Sequence, residues 1–284
     1  MIVWAHGGLI DPADPVYPAA DPVPALGLGL FETCAVRDGV VLALDRHLAR
    51  LERSAAALGL PLDLPAVREA VAAVLAVSGD AGSGSGGSGS GAGRLRITCG
   101  SPGGPVVVAQ PAPDRAAPSV RRSPWVRNER SPLAGHKSTS YAADALALAE
   151  AARHGADEAV LADTRGRLSE GTTTNVWVEV DGTLLTPTLD CGCLPGIMRE
   201  RVLEWSAAAG LPVREAELPW SVLDRVVDGE AGLAVSSSLR GLVPAVAVDG
   251  RPVVRTPVIG AVQELVRRRL AQEVTRRPPA RPGR

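Results

Sequence analysis

Lys137 is the only lysine in a chain of 284 residues; the other 29 of its 30 Lys and Arg residues are arginine. Where charge alone matters, at a solvated surface or in a simple ion pair, arginine can replace lysine. It cannot form an imine with a carbonyl and then carry a proton near neutral pH. Guanidinium stays charged, whereas a desolvated amine becomes a nucleophile and a base. Compositional drift that spared one lysine explains the count equally well, so the neighbouring residues decide. Two further features suit an anion. Gly196, Ile197 and Met198 stand directly ahead of RERVLEWSAAAG, which reads as a helix. Their backbone N–H groups therefore lie at a positive helix end, where a dianion is favoured. Ser236, Ser237 and Ser238 form a polar run after a strand, and counting does not fix which of them points inward. The four cysteines, Cys34, Cys99, Cys191 and Cys193, make no CxxC pair with histidine at ligand spacing, so no metal is expected. Cys191 and Cys193 read as small loop residues in a reducing compartment.

These residues need elements to position them. LFETCAV and VVLAL flank a turn at Asp38-Gly39 and predict a hairpin. Asp45 is placed to cap the following helix, whose Leu44, Leu48, Leu51, Ala55 and Leu58 share an apolar face. His47, Arg50 and Ser54 share another, so Arg50 points in one consistent direction. After Lys137, ADALALAEAARHG reads as an amphipathic helix closed by Gly155. EAVLAD, TNVWVEV and TLLTP read as strands, with turns at TRGR and DG.

Composition sets the outer limits. The length suggests about two domains at the soft prior of ~150 residues each, and 45% hydrophobic residues suffice for a sizeable core. A formal charge of -1 gives no reason to expect nucleic acid or an anionic membrane as partner. No apolar run reaches the ~18 residues of a spanning helix. MIVWAHGG lacks the basic start and apolar stretch of a signal peptide, so the cytoplasm is the default location. Residues 79–93, nearly all Gly, Ser and Ala, read as a flexible insertion. The expected division is a small domain over 1–112, a linker over 113–122, a larger domain over 123–272 and a frayed basic tail over 273–284.

Four blocks occur in one order: GLGLFETCAVRDGVVLALDRHLARLERSAAALGL, the run from SPLAGHKSTSYAADAL to SEGTTTNVWVEV, LDCGCLPGIMRERV and AVSSSLRGLVP. Over about residues 24–250 they resemble the fold-type IV pyridoxal-phosphate enzymes. These include branched-chain and D-amino-acid aminotransferases and 4-amino-4-deoxychorismate lyase. The resemblance implies an α+β fold of two domains, a small N-terminal α/β sandwich and a larger C-terminal pseudo-barrel, with pyridoxal 5'-phosphate between them and a homodimeric assembly. It makes Lys137 the Schiff-base lysine and Glu170, 33 residues on, the partner of the ring nitrogen. Arg50 matches the phosphate arginine, whose fork can bind two oxygens at once. Tyr141 matches the tyrosine on the phenolic oxygen. Gly196, Ile197, Met198, Ser237 and Ser238 fall on the phosphate side, and Asn175 among the remaining cofactor contacts.

Substrate residues divide the family. Aminotransferases of this class usually carry a basic residue two places beyond the position of Thr33 and arginines in the loop after the strand RLRITCG. Here those places hold Ala35 and SPGGPV. GLFET, GIMR and SSLRGLVP look most like aminodeoxychorismate lyases, with Phe31 and Thr33 as pocket residues and Arg240 as a carboxylate contact. The function implied is release of pyruvate from aminodeoxychorismate to leave 4-aminobenzoate. A class IV aminotransferase and a non-catalytic cofactor-binding protein stand as alternatives.

Overall fold

In the computed structural model, residues 1–80, 93–113 and 116–275 are described, with the backbone alone at 79 and 80. Most of the Gly/Ser-rich stretch, and the last residues of the basic tail, lie outside them.

The N-terminal strands Ile2–Ala5 (β1) and Gly8–Ile10 (β2) form an edge hairpin. After a short helix, Pro22–Leu26 (α1), come Leu30–Arg37 (β3) and Val40–Val41 (β4). Asp38 and Gly39 turn between them with φ of 48° and 72°, the left-handed pair that a tight hairpin requires. Helices Leu44–Leu58 (α2) and Leu64–Asp80 (α3) follow, then Gly93–Cys99 (β5) and Val106–Pro111 (β6). All six strands pair antiparallel in the order β2-β1-β6-β5-β3-β4.

Alternation gives this sheet two different faces. Leu30, Cys34, Leu95, Ile97 and Cys99 pack against Leu48, Leu51, Ala55, Val67 and Val71 of the two helices. Phe31 and Thr33 of β3, with Arg94 and Arg96 of β5, point to the other side and line a cavity.

Ser119–Arg127 (β7) starts within the stretch 113–122 read as linker and begins a second sheet, because its backbone pairs in parallel with Glu158–Asp163 (β8) beyond the helix Ala142–Arg153 (α4). Leu168–Gly171 (β9) completes that side. Asn175–Val180 (β10), Thr183–Pro187 (β11), helix Ile197–Ala208 (α5), Val213–Ala216 (β12), helix Val222–Val227 (α6), Gly232–Ser237 (β13) and Gly241–Pro244 (β14) follow. The last elements are Ala247–Val248 (β15), Arg251–Pro252 (β16) and helix Pro257–Thr275 (α7). Two five-stranded sheets result, β12-β11-β10-β13-β14 and β16-β15-β7-β8-β9. They share one core in which Val160 and Leu168 meet Val176, Val178, Leu233 and Val235. This is the mixed α+β architecture expected. No described helix is long and apolar enough to cross a membrane.

Two local expectations change. Asp45 does not cap α2: the cap is Ala43, in the left-handed region at φ 53°, and Asp45 sits in the first turn, paired with Arg68. The Ala43 N–H instead donates to Glu273 Oε1 at 2.9 Å. That contact also explains why 273–275 belong to α7 rather than to a frayed tail, since Glu273 is fixed by both Ala43 and Arg201.

Candidate active site

The lysine is held by the N-terminal sheet. Its carbonyl accepts from Phe31 N–H at 2.9 Å, and Thr139 N–H donates to Gly29 O at 2.7 Å. These two bonds fix the backbone of 137–139 along the start of β3, and Lys137 Nζ stands 4.4 Å from the Phe31 ring centroid and 5.6 Å from that of Tyr141. Burial, then the nearby charge of Arg50, lower the amine from its ordinary 10.5 to about 8.

Lys137 opens on a cavity of about 510 Å³. Every residue assigned to cofactor or substrate lines it except Arg240. Arg240 occupies the turn between β13 and β14, where its N–H donates to Ser237 Oγ and its guanidinium donates to Ala116 O at 3.1 Å. Within this chain the side chain is held at that turn and does not line the cavity.

The polar stripe of α2 is buried because each member ties down a wall of the cavity. Ser54 Oγ lies 3.1 Å from His136 Nδ1, next to the lysine. His47 Nδ1 meets Glu32 Oε2 at 2.6 Å and its Nε2 meets Ser238 Oγ at 3.2 Å. Arg50, 4% exposed, turns its Nε and Nη2 fork onto the Glu32 carboxylate at 2.8 and 2.6 Å, and its Nη1 donates to Pro195 O. The fork expected on a phosphate is therefore engaged by Glu32, which sits on the helix side of β3. Two of the five N–H groups of a guanidinium remain for another anion.

Burial alone would raise Glu32, but the charge of Arg50 and hydrogen bonds from His47 and Arg50 outweigh it and hold the carboxyl at about 2, below its ordinary 4.5. A depressed carboxylate stabilises the fold above pH 4.5 and loses that contribution as pH falls toward 2. Glu32→Gln keeps the shape but leaves Arg50 buried without its countercharge. It should cost about 3–5 kcal/mol in denaturant unfolding, as removal of one partner from a buried pair does. The acid limb of the stability profile should flatten in the same variant; an unchanged unfolding midpoint would show that the pair contributes nothing.

At the other end, β9 presents Glu170. Its Oε1 lies 3.0 Å from Arg127 Nε and its Oε2 accepts from Leu194 N–H at 3.0 Å. Burial raises its pKa, with Arg127 opposing. Arg127 also donates to Asp144 Oδ1 at 2.5 Å, so a carboxylate–guanidinium–carboxylate row crosses from β9 through β7 to α4. Tyr141 donates its hydroxyl to Thr172 O and can meet a cofactor oxygen only by accepting. Thr172 and its neighbours are organised by Glu158, fully buried, which accepts from Thr172 N, Thr173 N, Thr173 Oγ1 and Thr174 Oγ1 at 2.7 to 3.2 Å, and from Thr172 Oγ1.

The anion end is built from backbone. Gly196 is the N-cap of α5, where no side chain caps the helix, so the free N–H groups at that end are available. A Cβ on Gly196 would fall 1.9 Å from Asn175 Oδ1, so only glycine leaves this approach open. Asn175 supports the same loop, donating from Nδ2 to Leu194 O at 2.8 Å. All three serines line the cavity; Ser236 is buried and accepts from Trp177 Nε1 at 2.9 Å, while Ser237 Oγ accepts from Arg240 N–H and Ser238 Oγ meets His47. An amine, a carboxylate at one end and an uncapped helix start with hydroxyls and a guanidinium at the other together suit pyridoxal phosphate. Sequence reasoning did not find Arg127, Glu158, Glu32, Arg94 or Arg96. Only the alternation of β3 and of RLRITCG carried a signal for the last three.

Comparison with known proteins fits this geometry. The family model "Amino-transferase class IV" matches residues 29–248. The chain is 30% identical, over 94% of its length and 97% of the relative's, to the bifunctional aminodeoxychorismate lyase / D-amino acid transaminase of Mycobacterium tuberculosis. It is 28% identical, over 92% of each chain, to a putative branched-chain-amino-acid aminotransferase of Methanocaldococcus jannaschii. A structure described as a hypothetical aminotransferase from Mycobacterium tuberculosis, with α-ketoglutarate and PMP bound, superposes with a TM-score of 0.83 at 27% identity, covering 96% of this chain and all of that one. A putative 4-amino-4-deoxychorismate lyase from Legionella pneumophila shares the fold at 24% identity, with a TM-score of 0.75 and cover of 91% and 97%. The chain belongs to the class IV aminotransferase family. It is an enzyme of the pyridoxal-phosphate type, an aminotransferase or a lyase.

Proposed function

We propose that the chain is an aminodeoxychorismate lyase, converting 4-amino-4-deoxychorismate to 4-aminobenzoate and pyruvate. The observation that carries this reading is the cavity wall beside Lys137. Phe31 and Thr33 face inward there, while Ala35, at the place where class aminotransferases usually hold a basic residue, is packed into the core against Leu42 and Trp177.

Bound pyridoxal phosphate supplies an electron sink for the pair left behind when a proton leaves the amine-bearing carbon. The residues do the rest. Lys137, released by the incoming amine, takes that proton, and an amine near pKa 8 can also give one back to the leaving three-carbon fragment. Glu170 places negative charge at the ring-nitrogen end. The N–H groups of Ile197 and Met198, the hydroxyls of Ser237 and Ser238 and the remaining donors of Arg50 would hold the phosphate. Thr33 offers a hydroxyl to the fragment that departs. A homodimer is the assembly that the resemblance implies.

Incubation with aminodeoxychorismate in the absence of any keto acid should yield pyruvate and 4-aminobenzoate in equal amounts. A second reading, amino-group transfer at the same site, is favoured by the related structure holding α-ketoglutarate and PMP. It requires a keto acid and gives ping-pong kinetics. Turnover only when a keto acid is supplied would overturn the lyase reading, and bound cofactor without either reaction would leave a cofactor-binding protein.

A further inference from the structure

Two guanidinium groups in the cavity have no part in the chemistry above. β5 pairs with β3 so that Arg94 lies opposite Ala35 and Arg96 opposite Thr33. The cations therefore enter from the neighbouring strand, although β3 itself carries none on this face before Arg37. They are not equivalent. Arg94 also lies opposite Gln110 of β6, and turning the Gln110 amide brings its oxygen onto Arg94 Nε at 2.9 Å and onto Nη2. On that side Arg96 faces Val108, which offers no acceptor.

Arg96 is half-buried, yet its side chain makes no hydrogen bond or ion pair with any described residue. Its Cζ lies 3.9 Å above the Phe31 ring centroid, the same ring that Lys137 Nζ approaches to 4.4 Å. Stacking occupies the face of the guanidinium and leaves the N–H groups around its edge free to donate. Burial, and then the like charge of Arg94, disfavour its charged form, while only the phenols of Tyr17 and Tyr141 act the other way. A half-buried cation without a carboxylate is costly to keep unless a ligand completes it.

We infer that Arg96, with the Thr33 hydroxyl across the strand pair, is the subsite for a carboxylate of the substrate. It recognises an organic acid whose amine is delivered to Lys137, which approaches the same Phe31 ring. The inference rests on the reading of this cavity as the cofactor and substrate site, and it holds for a lyase and a transaminase alike. The carboxylate ties its charge to Arg96 and leaves Thr33 as a neutral second contact.

The test uses the holoenzyme, whose cofactor phosphate already fills the other anion site. It is titrated with propionate and with propionamide, the uncharged analogue, and binding is read by calorimetry and by the visible band of the cofactor. The wild type should prefer propionate by about tenfold or more, the range expected for a charge-assisted bidentate contact. Arg96→Gln should abolish the preference. Arg96→Lys, which keeps the charge and stem and guards against misfolding, should reduce it several-fold because an ammonium lacks the planar fork. Arg94→Gln should leave it intact. An unchanged preference in either folded Arg96 variant overturns the assignment, as does a wild type blind to charge or a loss confined to Arg94→Gln. Failure to trap cofactor on Lys137 would instead overturn the reading of the cavity itself.

Discussion

Lys137→Arg should fold, carry no covalently fixed cofactor after borohydride reduction and show no detectable turnover. With no second lysine in the chain, no other ε-amine can take over, and only the α-amino terminus remains as a site of attachment. Mass spectrometry of the reduced wild type should place the adduct on the peptide containing Lys137; trapping on the terminus alone would refute the assignment. The same residue sets a pH signature. An amine with pKa about 8 is neutral above that pH, so cofactor capture by the apoprotein should rise through about pH 8 instead of 10.5. At pH 7.5 about a quarter of such an amine is neutral, against roughly one part in a thousand of an unperturbed lysine. A capture profile still climbing at pH 10 would mean that the cavity does not desolvate the amine.

Glu170→Gln should slow removal of the substrate proton by about 10²–10⁴-fold, the scale on which such electrostatic and acid–base contributions fall, while cofactor content changes little. Glutamine keeps the size and the acceptor for Leu194 N–H but cannot place a negative charge beside Arg127 or at the ring nitrogen. Arg127 is then left to Asp144 alone, so charge balance at this end shifts by a full unit. Turnover and the visible band, measured together, separate the cases. Near-normal turnover would remove Glu170 as ring-nitrogen partner, and parallel loss of cofactor and activity would reduce it to a structural role.

Much of the site was legible in the sequence because its parts are local. Lys137 announced itself by composition and Gly196 by the helix that follows it, while Phe31 and Thr33 were named through the resemblance of the GLFET block. What stayed hidden depends on pairing between distant segments. Arg96 stands beside Thr33 only through the β3–β5 register, which the 58 residues between Arg37 and Arg96 do not encode in any short pattern. The engagement of Arg50 by Glu32 was obscured for a related reason: both positions were readable as faces, but nothing local said that the helix face of β3 and the polar stripe of α2 would meet. The serine run was undecidable by counting, since Ser236 is claimed by Trp177 from the adjacent strand β10.

The two backbone bonds that tie residues 137–139 to Gly29 and Phe31 join segments more than a hundred residues apart. The attachment point for the cofactor thus exists only after a segment near residue 30 and one near the middle of the chain have met, and a ligand seated there grips both. Pyridoxal phosphate is in this sense part of the folding equilibrium. At a hundredfold excess over its Kd it adds about 2.7 kcal/mol to the native state, so the unfolding midpoint should rise with cofactor concentration.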